Sequence, residues 1–252
     1  YFSTLELTKG FLIALLSSAF IYLNHWGFSY PVINTILGIL TLYMLLKEGQ
    51  KVWFFSGFFI GILWFWWIAL SLKHYGYVWA FPIEILVISL IYGGLFLALA
   101  WSAEKLSYKL HFHPVFLKAS AVFIFSYIHP FGFDWFKPEL MFIESYLGIQ
   151  KWQFGLILFA SALSIWKKQL LYLGIILFAY QPTPVLNTLL SNEIKLVTTY
   201  TSVQDKWNET LHPEQFENLF SEIDQAIKED KKLVILPESV FPLFLNKSEK
   251  LI

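Results

Sequence analysis

The chain has 252 residues, of which 57% are hydrophobic and only 14% charged, with a mean hydropathy of +0.57. An ordinary soluble domain is about 45–50% apolar and about 25% charged; this balance excludes a disordered chain, a coiled coil and a disulfide-stapled secreted domain, and implies a polytopic membrane protein. The net charge is zero, all 18 basic residues are Lys and there is no Cys, so nucleic acid is not an expected partner and these residues hold no thiolate metal site or cysteine nucleophile.

Composition changes along the chain. Residues 1–192 carry 11 Lys and 7 Asp/Glu, whereas residues 193–252 carry 7 Lys and 11 Asp/Glu, with Pro182-Thr183-Pro184 near the boundary. A transmembrane helical domain over 1–192 and the start of a soluble domain over 193–252 are expected. Both ends, at Tyr1 and at Leu251-Ile252, look cut, so a piece of a longer protein is expected.

A spanning helix needs roughly 17–25 mostly apolar residues. Residues 7–26, 30–46, 52–72 and 80–103 meet that requirement well; 113–129, 147–166 and 169–190 meet it weakly and leave room for a re-entrant hairpin. The first segment lacks the basic cluster and small-residue cleavage site of a signal peptide. With about seven spans, the loops alternate between a set holding eight Lys (Lys9, Lys47, Lys51, Lys105, Lys109, Lys118, Lys167, Lys168) and a set holding three (Lys73, Lys137, Lys151). The positive-inside rule then puts the N-terminus in the cytoplasm and residues from 191 onward outside. That outcome depends on an odd number of spans.

Within the third segment, Gly57 and Gly61 have the small-xxx-small spacing that permits close helix contact. Trp64, Trp66 and Trp67 lie well inside the same segment, either as packing bulk or as a wall for a lipid tail. Glu84, near the start of the fourth segment, suits the interface. His111 and His113 lack a third ligand nearby and read as interfacial packing; no metal is expected. The loop His129-Pro130-Phe131-Gly132-Phe133-Asp134-Trp135 fits a partly embedded substrate path and an interfacial turn equally well.

In the tail, the β-branched run 194–201 predicts a strand. Pro213 opens a predicted helix over 213–229, where Phe216, Leu219, Phe220, Ile223, Ala226 and Ile227 recur at helical spacing. Leu233-Val234-Ile235-Leu236 is wholly apolar, as a strand covered on both faces would be. Strand, helix, strand makes a βαβ unit, too small to bury both faces by itself. Glu238 follows the second strand directly. Sites collect at the carboxyl ends of strands in α/β sheets, so Glu238 is either a base or a solvated loop residue.

The segment Leu233-Val234-Ile235-Leu236-Pro237-Glu238-Ser239-Val240-Phe241-Pro242 resembles the one that carries the catalytic Glu in nitrilase-superfamily enzymes, in the version found in apolipoprotein N-acyltransferases. Ser202-Val203-Gln204-Asp205-Lys206-Trp207-Asn208 resembles that family's first-strand exit, and the 31 residues from Trp207 to Glu238 fit its spacing. Gly57-Phe58-Phe59-Ile60-Gly61 with the Trp cluster and Ser71-Leu72 resembles the family's third span, and 131–135 loosely resembles its aromatic outer loop. The likeness covers nearly the whole chain as architecture; only the Pro-Glu and Gln-x-Lys-Trp motifs are specific.

The resemblance implies a nitrilase-like αββα sandwich, begun by residues 193–252, on the periplasmic side of a bacterial inner membrane. It implies acyl transfer from a phospholipid, through a Cys thioester, to the N-terminal amine of a diacylglyceryl-cysteine lipoprotein. Glu238 would be the catalytic base, with the Lys and Cys of the family triad downstream; Lys247 and Lys250 lie too close to Glu238 for that role. Trp207 would shape the mouth of the lipid site, or else pack on the helix 213–229. No cofactor and a monomer are expected, and this chain, lacking the Cys, should be inert alone. Two other readings stand beside it: another membrane-tethered nitrilase-type amidase or acyltransferase, and a non-enzymatic polytopic protein. The near absence of ionisable groups in the spans argues against an ion-coupled transporter.

Overall fold

The computed structural model describes residues 3–74, 76–128, 136–182, 193–199, 201, 203–206, 208–237 and 240. Two compact units divide the chain, residues 1–183 and 184–252.

The first unit is helical. It contains α1 (Thr4–His25), α2 (Pro31–Lys47), α3 (Gln50–Phe65), the single turn α4 (Ser71–His74), α5 (Phe81–Leu110), α6 (Pro114–Phe125) and α7 (Lys151–Lys167). Stretches of 3-10 helix lie at Trp66–Leu70, Val78–Ala80, Pro138–Phe142 and Leu170–Ala179. Gln50–Lys73, Thr4–His25 and Val78–Leu110 are long and apolar enough to cross a membrane, while Pro31–Lys47, Pro114–Phe125 and Leu170–Ala179 are apolar but shorter. Local chemistry sets the boundaries. At α1, the Ser3 hydroxyl accepts from the Glu6 amide and the Glu6 carboxylate accepts from the Ser3 amide, a capping box. Pro residues open α2 and α6, where a missing N–H costs nothing.

The strong segments form helices close to their expected limits, and the weak ones are cut short. Residues 113–129 yield only Pro114–Phe125 as α-helix, and α7 starts at Lys151 rather than 147. Before α7, Glu144 adopts a left-handed φ of 54°, so the chain turns there. Residues 169–190 yield a ten-residue 3-10 helix, Leu170–Ala179, within the described part. Such a helix rises about 2.0 Å per residue, more than an α-helix, and ten residues run back along most of the length of α7. The run ends beside the start of α7. There Leu147 and Tyr180 form an antiparallel bridge, and the Ala179 carbonyl accepts from the Gly148 amide at 3.0 Å and from Gln153 Nε2 at 3.3 Å.

Side-chain pairs fix the helix directions. Lys9 of α1 meets Glu48 at the end of α2 at 2.7 Å, and Gln50 of α3 meets Glu104 of α5. Lys118 of α6 pairs with Glu104 at 2.8 Å and donates to the Glu48 carbonyl at 2.8 Å. The starts of α1, α3 and α6 and the ends of α2 and α5 therefore share one end of the unit, which holds the Lys-rich set of loops. Trp166, near the end of α7, packs edge-on against Phe116 of α6 at 5.6 Å, which brings Lys167 and Lys168 to the same end.

The tightest helix pair is α3 with α5. A methyl group at Gly61 would strike Ser89 Cα at 2.7 Å, and one at Gly57 would strike the Tyr92 carbonyl and Phe96. The Gly57/Gly61 spacing therefore is a close helix contact. Ser17, Ser18, Ser56, Ser89 and Ser161 are buried and donate to carbonyls three or four residues back in their own helices. Such back-bonding satisfies a hydroxyl in an apolar interior without a partner from another helix.

The second unit carries a two-stranded parallel pairing of β1 (Ile194–Leu196) with β2 (Leu233–Ile235), joined through α8 (Val203–Lys206), a 3-10 turn at Glu209–Leu211 and α9 (His212–Lys228). The first strand is shorter than the predicted 194–201, because the ladder ends where the Val197 amide donates to the Ile235 carbonyl at 3.0 Å. The apolar stripe of α9 is only partly covered: Leu219 and Ala226 are buried, whereas Phe220 is 44% and Ile227 67% exposed. Two strands present too little surface to cover it.

Candidate functional site

The site-bearing element of the second unit is β2. Its three residues pair in register with Ile194, Lys195 and Leu196. The Glu193 carbonyl accepts from the amides of Lys232 and Leu233 at 2.7 and 3.1 Å, closing the entrance to the strand. Lys195 reaches Glu222 of α9 at 3.2 Å, which ties helix to sheet. Leu236 and Pro237 follow the strand directly.

Beyond the carboxyl ends of the two strands lies a cavity of about 400 Å³, lined by Thr198, Thr199, Thr201, Lys206, Gln215 and Val240 among others. This is where ligands bind in parallel α/β sheets. Its wall combines hydroxyl groups, the amides of Gln215 and Asn218, the Glu222 carboxylate and the Lys206 side chain. Gln215 Nε2 donates to the Asp205 carbonyl at 2.7 Å, holding the α8 turn against α9. Thr198, Thr199 and Thr201 read in the sequence as strand; they leave the ladder and face the cavity instead. In the sequence, Lys206 is distinguished only by its place in the Gln-x-Lys-Trp motif. The two residues expected to carry function, Glu238 and Trp207, lie outside the described residues, each next to one that is described: Pro237 and Lys206.

In the membrane unit the three clustered Trp residues separate. Trp64 is buried and packs edge-on against Phe136 at 4.7 Å and Phe20 at 5.2 Å. Trp66 and Trp67, in the 3-10 stretch, are 42% and 57% exposed. The α-helix to 3-10 change turns them out, and Trp67 Nε1 donates to the Trp64 carbonyl at 2.8 Å. Phe136 also meets Tyr92, Phe96 and Phe125 within 6 Å. The loop 129–135 immediately before it lies outside the described residues.

Two polar clusters had no signal in the spacing of the sequence. At one, Glu144 accepts from Asn24 Nδ2 at 3.1 Å and from the Ser29 hydroxyl, while buried Asn34 donates to Ser29 Oγ at 2.9 Å and to the Glu144 carbonyl at 3.2 Å. At the other, Lys137 and Lys151 both donate to the Ser126 carbonyl, at 2.9 and 2.6 Å, and Lys151 pairs with buried Glu139. Both tie loops to helix ends. Their hydrogen-bonded partners are 5 to 120 residues apart in sequence, so only folding brings each cluster together. His113 caps α6, its Nδ1 accepting from the Val115 amide at 3.3 Å, and His111 ends α5 with a left-handed φ of 55°. Among the described residues no group of His, Asp or Glu is placed to hold a metal.

Residues 4–183 match the family described as the apolipoprotein N-acyltransferase integral membrane domain. The chain belongs to the apolipoprotein N-acyltransferase family. It is 34% identical over 241 residues to the apolipoprotein N-acyltransferase of Wolinella succinogenes, covering 94% of this chain and 56% of that protein. Against the Campylobacter jejuni protein of the same name it is 34% identical over 252 residues, covering 97% and 55%. For that of Helicobacter pylori the figures are 30% over 256 residues, 95% and 57%. The chain thus spans about half the length of the curated relatives it matches. The family assignment agrees with the resemblance carried by the Pro-Glu and Gln-x-Lys-Trp motifs, and makes the first unit an integral membrane domain.

Proposed function

We propose that this chain provides the membrane domain and the first part of a nitrilase-like catalytic domain in a bacterial inner-membrane enzyme. That enzyme moves an acyl chain from a phospholipid to the N-terminal amine of a diacylglyceryl-cysteine lipoprotein. The observation that carries the reading is the parallel β1–β2 pair opening onto a cavity beyond its carboxyl end, with β2 running into Pro237-Glu238. The return of the 3-10 run to the Leu147 end, opposite the Lys-rich end, supports an odd number of crossings and a periplasmic catalytic domain.

In the proposed reaction Glu238 is the general base and the nucleophile is a Cys thiol outside these 252 residues. Glu238 takes the thiol proton as sulfur attacks the donor's ester carbonyl. The carbon–oxygen bond then breaks, the proton goes to the leaving lysophospholipid oxygen, and a thioester remains. The lipoprotein's amine attacks that thioester, Glu238 takes the amine proton, and the carbon–sulfur bond breaks to restore the thiol. An unperturbed thiol has a pKa near 8.5, so little thiolate is present at neutral pH, and a positioned base contributes about 10²–10⁴-fold. Trp207, one residue from cavity-lining Lys206, shapes the mouth of the lipid site. Glu238→Gln in the full-length protein removes the basic oxygen and keeps the shape. Acyl-enzyme formation from a fluorescent phospholipid should fall by about that factor, while a thiol reagent still labels the Cys. Undiminished acylation by the Gln variant would rule the assignment out.

A further inference from the structure

We infer that the Lys-rich end of the membrane unit holds an anionic phospholipid, bound in a pocket between α2, α6 and α7. The pocket has a volume of about 510 Å³. Its basic wall is Lys47, Lys118 and Lys168, its apolar wall includes Leu46 and Trp166, and no carboxylate lines it. Lys118 is buried at 6% exposure and already engaged with Glu104 and the Glu48 carbonyl. Lys47 and Lys168 are exposed and have no carboxylate partner among the described residues. They stand at the C-terminal ends of α2 and α7, where carbonyls favour a cation, but a helix end supplies only a partial charge.

The surroundings point to a lipid rather than a soluble anion. Leu170 and Leu171, which lead away from the pocket, are 66% and 85% exposed, and the Trp166 ring carries Lys167 Nζ at 3.9 Å. Lys47 Nζ lies 5.3 Å from the Tyr43 ring centre. Aromatic rings topped by cations are characteristic of the headgroup level of a bilayer. A phosphate at that level meets the lysines, while acyl chains run down the apolar wall. Basic pockets between membrane helices on the cytoplasmic side bind anionic headgroups in this way. The site lies at the opposite end of α2 from the Asn34–Glu144 cluster, about 20 Å away along the helix, and its chemistry is independent of which leaflet that end faces.

The test uses the full chain in detergent, titrated with phosphatidylglycerol, with phosphatidylcholine, and with inorganic phosphate, read by thermal unfolding and by native mass spectrometry. Phosphatidylglycerol should raise the unfolding midpoint and remain bound in the gas phase, and the other two should not. Lys47→Ala and Lys168→Ala should each weaken phosphatidylglycerol binding roughly fivefold, the usual effect of one lysine near an anionic headgroup. Lys47→Arg should retain it. Equal effects of the two lipids, an equal effect of inorganic phosphate, or undiminished phosphatidylglycerol binding by both Ala variants would each overturn the proposal. Should an Ala variant fail to fold, the wild-type comparison of the three additives and the loss of the phosphatidylglycerol effect at high salt decide the matter.

Discussion

Gly61 stands where α3 and α5 approach too closely for a side chain, with Ser89 Cα 2.7 Å from where its methyl would be. Backbone on both sides leaves nothing to move aside. Gly61→Val should therefore destabilise the membrane unit by about 1–3 kcal/mol, the usual cost of overpacking, read as a lower unfolding midpoint in detergent. Gly94, on the same helix as Ser89, has nothing within 4 Å of the corresponding position; Gly94→Ala should leave the midpoint unchanged or raise it, since Ala is the better helix former. Trp207 makes the opposite kind of prediction. If it forms the mouth of the lipid site, Trp207→Ala in the full-length enzyme should reduce acyl transfer with normal membrane insertion and an unchanged midpoint. An unstable, degraded variant would show instead that the ring packs on α9.

Among the elements, the ten-residue 3-10 run Leu170–Ala179 depends most on its neighbours. Long 3-10 helices have poor hydrogen-bond geometry, and Leu170, Leu171, Leu177 and Phe178 are all more than 60% exposed. Its far end is held by Gln153, which is buried and gives Nε2 to the Ala179 carbonyl while Oε1 accepts from the Gln150 amide at 3.2 Å. Gln153→Ala removes one of that carbonyl's two donors, at a cost of about 0.5–1.5 kcal/mol. Hydrogen exchange over residues 170–180 should accelerate, with α1 to α5 unaffected; unchanged exchange would mean that the Gly148 amide alone holds the end. α9 shows the complementary case, a helix whose amphipathic pattern is complete and whose covering is not. Leu219 and Ala226 are buried there, while Phe220 and Ile227 remain exposed.

For the whole molecule the main question is which side of the membrane each end of the unit faces. The starts of α1, α3 and α6 and the ends of α2 and α5 share one end through Lys9–Glu48, Gln50–Glu104 and Lys118–Glu104. α5, at 30 residues, is about 45 Å long against a hydrocarbon core of about 30 Å. Its last turns extend past the core, and Tyr108 there is 88% exposed. On the proposed orientation Tyr108→Cys is an inside probe and Ser221→Cys an outside one, in a chain without Cys of its own. Ser107 is less suitable, since its hydroxyl donates to the Phe112 carbonyl at 2.6 Å and holds the turn after α5. With the outer membrane permeabilised, an impermeant thiol reagent should label Ser221→Cys and spare Tyr108→Cys in the full-length protein. The reverse pattern would invert the orientation.

Hydropathy and periodicity determined by themselves that the protein is a helical membrane unit followed by a strand–helix–strand segment. Both follow from local chemistry: apolar runs of spanning length, Pro and capping residues at helix starts, and an amphipathic repeat between two β-branched runs. The close α3–α5 approach was legible too, because Gly57-x-x-x-Gly61 is a local pattern. Contacts between distant residues were not. That Trp64 belongs to the core while Trp66 and Trp67 face outward depends on a change from α-helix to 3-10 that three adjacent indoles do not reveal. The joining of Lys118 to Glu104 and Glu48, the return of Leu170–Ala179 along α7, and the gathering of Thr198, Lys206, Gln215 and Val240 around one cavity all required the tertiary structure. A charge or a hydroxyl takes its role from the groups that folding sets within about 3 Å of it, and sequence separation carries almost none of that information.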